Sequence, residues 1–93
     1  MTPDSSAFRD FHVHAGEEPD AETITATMLC VACGQFGPTA EAARERTPEA
    51  QGKAALEAQK AAASWVETHH EHEPQHLAFR LLVSLPYRLV PGV

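Results

Sequence analysis

Two cysteines set only two residues apart, Cys30 and Cys33, and four histidines crowded between His69 and His76 constrain this chain more than any other feature. Thiolate and imidazole bind a borderline-soft divalent cation, and two of each complete the tetrahedral set of a closed structural zinc site. If they share one ion, two segments far apart in sequence must end at the same point of the fold. A Cys30–Cys33 disulfide would close a tiny loop and stabilise the chain little. A thioredoxin-like pair opens a helix, whereas Gly34, Gly37 and Pro38 follow here at once. Haem attachment needs a histidine directly after the second cysteine, and that position is Gly34. A glycine there suits a knuckle, a tight turn that aims both sulfurs at one ion.

The size of the chain gives such a staple a purpose. Its 93 residues make one domain, and a domain this short buries only about 60–65% of its unfolded-chain surface. The hydrophobic share is 43%, but much of it is alanine between Ala40 and Ala63. Large apolar residues sit mostly in three stretches, Phe8 to Val13, Ile24 to Val31 and Leu77 to Val90. Chains with so thin a core commonly rely on disulfides or a metal.

Alternation of apolar and polar residues predicts a strand within Ala7 to His14 and another from Thr23 to Leu29, separated by the turn-like Gly16 to Asp20. Together they read as an N-terminal hairpin with a longer loop. His12 and His14 share one strand face, expected to be the hairpin's exposed side. Residues 1–6 are expected to be a disordered tail and 7–91 a single zinc-binding α+β domain. Thr39 to Arg46 reads as a short helical turn or a mobile connector.

Thr47-Pro48-Glu49 is a strong helix start, with a threonine N-cap, proline at the first helical position and an acid near the positive dipole end. The helix is expected from Pro48 to about His70 or Glu71, with Pro74 as its stop. Gly52 weakens its first turns by about 1 kcal/mol relative to alanine. Glu49, Lys53, Glu57, Lys60, Ser64, Glu67 and Glu71 fall on one face. Ala54, Ala55, Ala58, Ala61, Ala62, Trp65 and His69 fall on the other, so the helix can approach a sheet closely with Trp65 as its anchor. After Pro74 a strand is predicted through Leu77, Phe79, Leu81 and Val83, ending near Pro86 or continuing to Val90.

The metal ligands expected from this arrangement are Cys30, Cys33, His69 and His76. His69 lies one helical turn after Trp65 and points toward the core, and His76 can fold back beside it after Pro74. The separation from Cys33 to His69 exceeds that of an ordinary zinc finger, so the ion would tie the hairpin's end to the helix's end. Two plainer readings compete. Histidines at a helix C-terminus are favourable in the dipole field with no metal at all, and the cysteines can be small buried residues.

Charge bears on partners. Thirteen acidic side chains against seven basic give a formal net charge of −6, whereas nucleic-acid binding needs a concentrated basic face. Met1 to Glu22 carries six acids and one arginine, while Leu77 to Val93 carries Arg80 and Arg88 and no acid. Another protein is therefore the expected partner, through the apolar and basic Leu81 to Val93. Nucleic acid, reached through Arg80, Arg88, Arg44 and Arg46, comes second. A redox switch at Cys30 and Cys33 comes third. No signal peptide and no apolar run of membrane-spanning length is present, which makes a reduced cytoplasmic setting the simplest expectation. Enzyme templates fail. The zinc deaminase pattern needs His-x-Glu and Pro-Cys-x-x-Cys, but the chain has His14-Ala15-Gly16-Glu17 and Leu29 before Cys30. No HExxH, P-loop, dinucleotide or GxSxG motif occurs, so no catalysis is expected.

Three groups of residues, Cys30-Val31-Ala32-Cys33-Gly34, then Trp65-Val66-Glu67-Thr68-His69, then His76 followed by Phe79-Arg80, form a pattern. In it the chain resembles small uncharacterised zinc-finger-like proteins of actinomycetes, notably streptomycetes. The likeness spans about residues 8 to 91. The spacing from His69 to His76 is one residue longer than in that group, and the connector from Gly34 to Pro48 is longer too. His69, His70 and His72 therefore stay open as partners of His76. The resemblance implies a bound metal and says nothing about a target; the acidic balance, the closed metal site and the lack of catalytic motifs lead to the expectation of a non-catalytic interaction or regulatory module. The fold expected is α+β: a small antiparallel sheet, made of the N-terminal hairpin and the C-terminal strand, packed on one long helix and stapled by zinc.

Overall fold

A computed structural model of the chain describes residues 11–15 and 22–91. Thr23–Ser84 form one compact unit, and the described residues outside it belong to a second. The expected tail, residues 1–6, lies outside the described residues, as does the expected turn at Gly16 to Asp20.

In the larger unit the order is β2 (Thr25–Cys30), β3 (Ala40–Glu41), α1 (Pro48–Ala63), α2 (Trp65–His72) and β4 (Phe79–Ser84); the second unit pairs β1 (Phe11–Ala15) with β5 (Tyr87–Pro91). The larger unit's sheet is antiparallel in the order β3-β2-β4. The fold class read from the sequence is therefore present: a small antiparallel sheet with one long, bent helix.

Strand pairing differs from the expected hairpin. β2 does not pair with β1 but runs from Thr25 opposite Ser84 to Cys30 opposite Phe79. β1 takes β5 instead, from Phe11 opposite Pro91 to Ala15 opposite Tyr87. Alternation identifies a strand and its faces; it carries no information about which edge the strand will find. His12 and His14 thus sit opposite Val90 and Arg88. The predicted C-terminal strand is also divided, into β4 and β5, at Leu85-Pro86, where proline has no N–H to give a ladder.

The connector after Gly37 is held rather than loose. Ala40 and Glu41 pair with Ala26 and Thr25, and the Ala42 N–H donates to the Ile24 carbonyl at 2.8 Å. Gln51 then ties this segment to the helix. Its Nε2 donates to the Ala43 carbonyl at 2.9 Å, and its Oε1 accepts from the Glu45 N–H at 3.0 Å.

The helix starts as its sequence requires. Thr47 is extended, its hydroxyl accepts from the Ala50 N–H at 3.1 Å, and Pro48 takes the first position. The bend falls at Ser64, between α1 and α2. The Ser64 hydroxyl donates back to the Ala61 carbonyl at 2.7 Å, a local bond that competes with the regular ladder and tilts the axis. Ala58 and Ala62 are buried with Ala26, Met28 and Ala42, and Ala54, Trp65, Val66 and Phe79 pack against that cluster. Ala61, expected on the same face, is exposed.

Candidate metal centre

β2 delivers the cysteines. Cys30, its last residue, is wholly buried, whereas Cys33 lies exposed in the following turn. Gly34 has φ +76°, a left-handed conformation that glycine adopts without strain. That conformation closes the knuckle: the Gly34 N–H donates to the Cys30 carbonyl at 2.7 Å, and the Cys30 N–H donates to the Gln35 carbonyl at 2.9 Å. On the other side the Val31 N–H donates to the Ala78 carbonyl at 3.0 Å, holding the knuckle against the segment entering β4.

The end of α2 delivers the histidines. The Glu73 N–H donates to the His69 carbonyl at 2.8 Å and the His76 N–H to the Glu73 carbonyl at 3.0 Å. Pro74 cannot continue the ladder, so the chain turns and His76 folds back beside His69, ring centroids 5.4 Å apart. His69 is buried at 6% exposure. Trp65 stacks on it at 4.6 Å and Phe79 meets it edge-on at 5.9 Å. The other candidates lie elsewhere. His72 bonds through Nδ1 to the Thr68 carbonyl at 2.9 Å, and His70 is exposed.

The four donor atoms converge. Cys30 Sγ is 3.5 Å from His76 Nδ1, Cys33 Sγ is 3.6 Å from His69 Nε2, and the two ring nitrogens are 3.2 Å apart. All four lie within 4.8 Å of one another and could hold a metal ion. Zinc bonds of about 2.3 Å to sulfur and 2.05 Å to nitrogen define a tetrahedron whose S···N edges are about 3.5 Å and N···N edge about 3.3 Å. The three separations match those edges. Hydrogen bonding alone accounts for them less well. His69 Nε2 faces both Cys33 Sγ and His76 Nδ1, yet an imidazole nitrogen has either one proton or one lone pair to share.

One supporting residue escaped the sequence reading. A Cβ added to Gly37 would stand 2.6 Å from the Trp65 ring, so the indole lies directly on the glycine backbone. The Gly37 N–H meanwhile donates to the Met28 carbonyl at 2.9 Å. Gly37-Pro38 marks a turn in sequence, and nothing local tells that an aromatic ring will cover it.

The whole chain, residues 1–93, matches the model of a domain of unknown function, DUF7848. The chain belongs to that family. No curated protein and no solved structure matches it. Among the described residues no helix is long and apolar enough to cross a membrane.

Proposed function

We propose that this is a non-catalytic structural-zinc domain that works as a protein-interaction or regulatory module. The observation that carries the metal is the agreement between the donor separations and the edges of a zinc tetrahedron. Two soft thiolates with two imidazoles favour zinc over the hard, oxygen-seeking cations. Four protein ligands fill the coordination sphere and leave no position for water or substrate, which supports a structural rather than catalytic ion. Cys30 and Cys33 would hold it from the knuckle, and His69 and His76 from the helix end.

An interaction role is supported by the apolar surface. Leu81, Leu82 and Val83 of β4 are 39–42% exposed, where a role in the core alone would bury them. In the second unit Leu85, Tyr87 and Leu89 are exposed as well. Within the larger unit Arg80 is exposed on β4 with Leu81, Leu82 and Val83, and β4 carries no acid, so that strand suits an apolar, acidic protein segment.

Native mass spectrometry with elemental analysis tests the metal. One zinc per chain, lost on chelation together with helical circular dichroism, is the expected result. A metal-free chain that is fully folded with two free thiols would overturn the proposal.

A further inference from the structure

We propose that Cys33 is an oxidative modification site, at which its sulfur attacks a hydroperoxide and Cys30 resolves the product into an intrachain disulfide with release of the metal. This rests on the zinc reading above. The centre is asymmetric: Cys30 and His69 are buried, His76 is half-buried, and Cys33 is exposed. An oxidant in solvent therefore meets one sulfur and not the other. The approach is open, since Ala32 and Gly34 on either side are small and exposed, and apart from its own chain neighbours nothing lies within 4 Å of where a Gly34 Cβ would stand.

The Cys33 thiolate attacks one peroxide oxygen and breaks the O–O bond. This gives a sulfenic acid and, for hydrogen peroxide, a hydroxide that takes a proton to become water. The Cys30 thiolate, whose sulfur lies within 4.8 Å of the other donor atoms, then attacks the Cys33 sulfur. The S–S bond forms as the second hydroxide leaves and is protonated. Two thiolates lose two electrons and the peroxide gains them. Only the two imidazoles remain for the ion, half of a closed site. Rotation of the exposed Cys33 side chain brings the sulfurs together. Trp65, the one tryptophan of the chain, stacks on the ligand His69 at 4.6 Å, so its emission reports the event.

The test takes the zinc-loaded chain, confirmed at one zinc per chain, and adds a small excess of hydrogen peroxide with a chromogenic zinc chelator present. Expected are one zinc released per chain and a denatured intact mass lower by about 2 Da than that of the reduced, metal-free chain, the loss of two hydrogen atoms on disulfide formation. Tryptophan emission should change in step, and reductant with zinc should restore it. With dimedone present from the start, the adduct should map to Cys33. Zinc retained with both thiols free, disulfides only between chains, or dimedone on Cys30 would each overturn the proposal. A chain that never binds zinc would sink the structural-zinc reading as well, whereas a zinc-loaded chain inert to peroxide would sink this proposal alone.

Discussion

The contact between helix and sheet is built in two ways along its length. In the second half of α1, methyl groups meet methyl groups: Ala58 and Ala62 against Ala26 and Ala42, with Met28 the largest side chain buried there. Toward α2, the contact consists of Trp65, His69 and Phe79 rings around Cys30 and His76. Alanine brings backbones close but contributes little area, at about 0.8 kcal/mol per buried carbon. A structural zinc in finger peptides contributes about 10–16 kcal/mol. The alanine contact sets how near the layers lie, and a zinc bound as proposed would supply most of the free energy that keeps them together.

The sharpest way to break that contrast is to remove one ligand. Cys30→Ser or His76→Ala should abolish zinc binding and the cooperative thermal transition. Either variant melting near the parent's midpoint would show that the alanine end suffices. Gly37→Ala comes next, because the new methyl overlaps the Trp65 ring. It should cost about 1–3 kcal/mol, the usual range for overpacking, and shift the tryptophan emission. An unchanged midpoint would mean that the indole swings aside freely. At the other end, Thr47→Ala removes the cap bond to Ala50 and should cost about 1 kcal/mol. Zinc affinity, measured by chelator competition, should not move; a matching loss of affinity would show that the two ends are one unit. The smallest effect is a gain. Gly52 is exposed, with open space at its Cβ, so Gly52→Ala should stabilise by about 0.5–1 kcal/mol. A destabilised variant would show that α1 needs the glycine for a reason its geometry does not reveal.

Features that act over a few residues were legible in the sequence. Thr47-Pro48 starts the helix, Pro74 stops it, and helical spacing puts His69 on the face of Ala58, Ala62 and Trp65. Chemistry and spacing singled out Cys30, Cys33, His69 and His76, which lie close together and could hold a metal ion, although the choice among His69, His70 and His72 required the turn at Glu73 and Pro74. What failed were properties of distant partners. The Phe11–Ala15 strand alternates as a hairpin strand would, yet it pairs with Tyr87–Pro91. Ser64 reads as a solvent-facing helical residue, and only its bond back to Ala61 reveals the bend. Ala40 and Glu41 have no strand-like pattern, because β2 and the Gln51 side chain impose their geometry from outside.

The donors are paired in sequence before they are paired in space. His69 and His76 are 7 residues apart, whereas Cys33 and His69 are 36 apart and Cys30 and His76 are 46 apart. Each pair can therefore capture an ion while the rest of the chain is still searching, and closing the long loop becomes an encounter between two half-formed sites. Loop-closure entropy rises only slowly with length, so the separation slows folding modestly. It also leaves the halves free to find the wrong partner. In a crowded refolding mixture, a cysteine pair from one molecule and a histidine pair from another can complete the same tetrahedron, joining two chains through one ion.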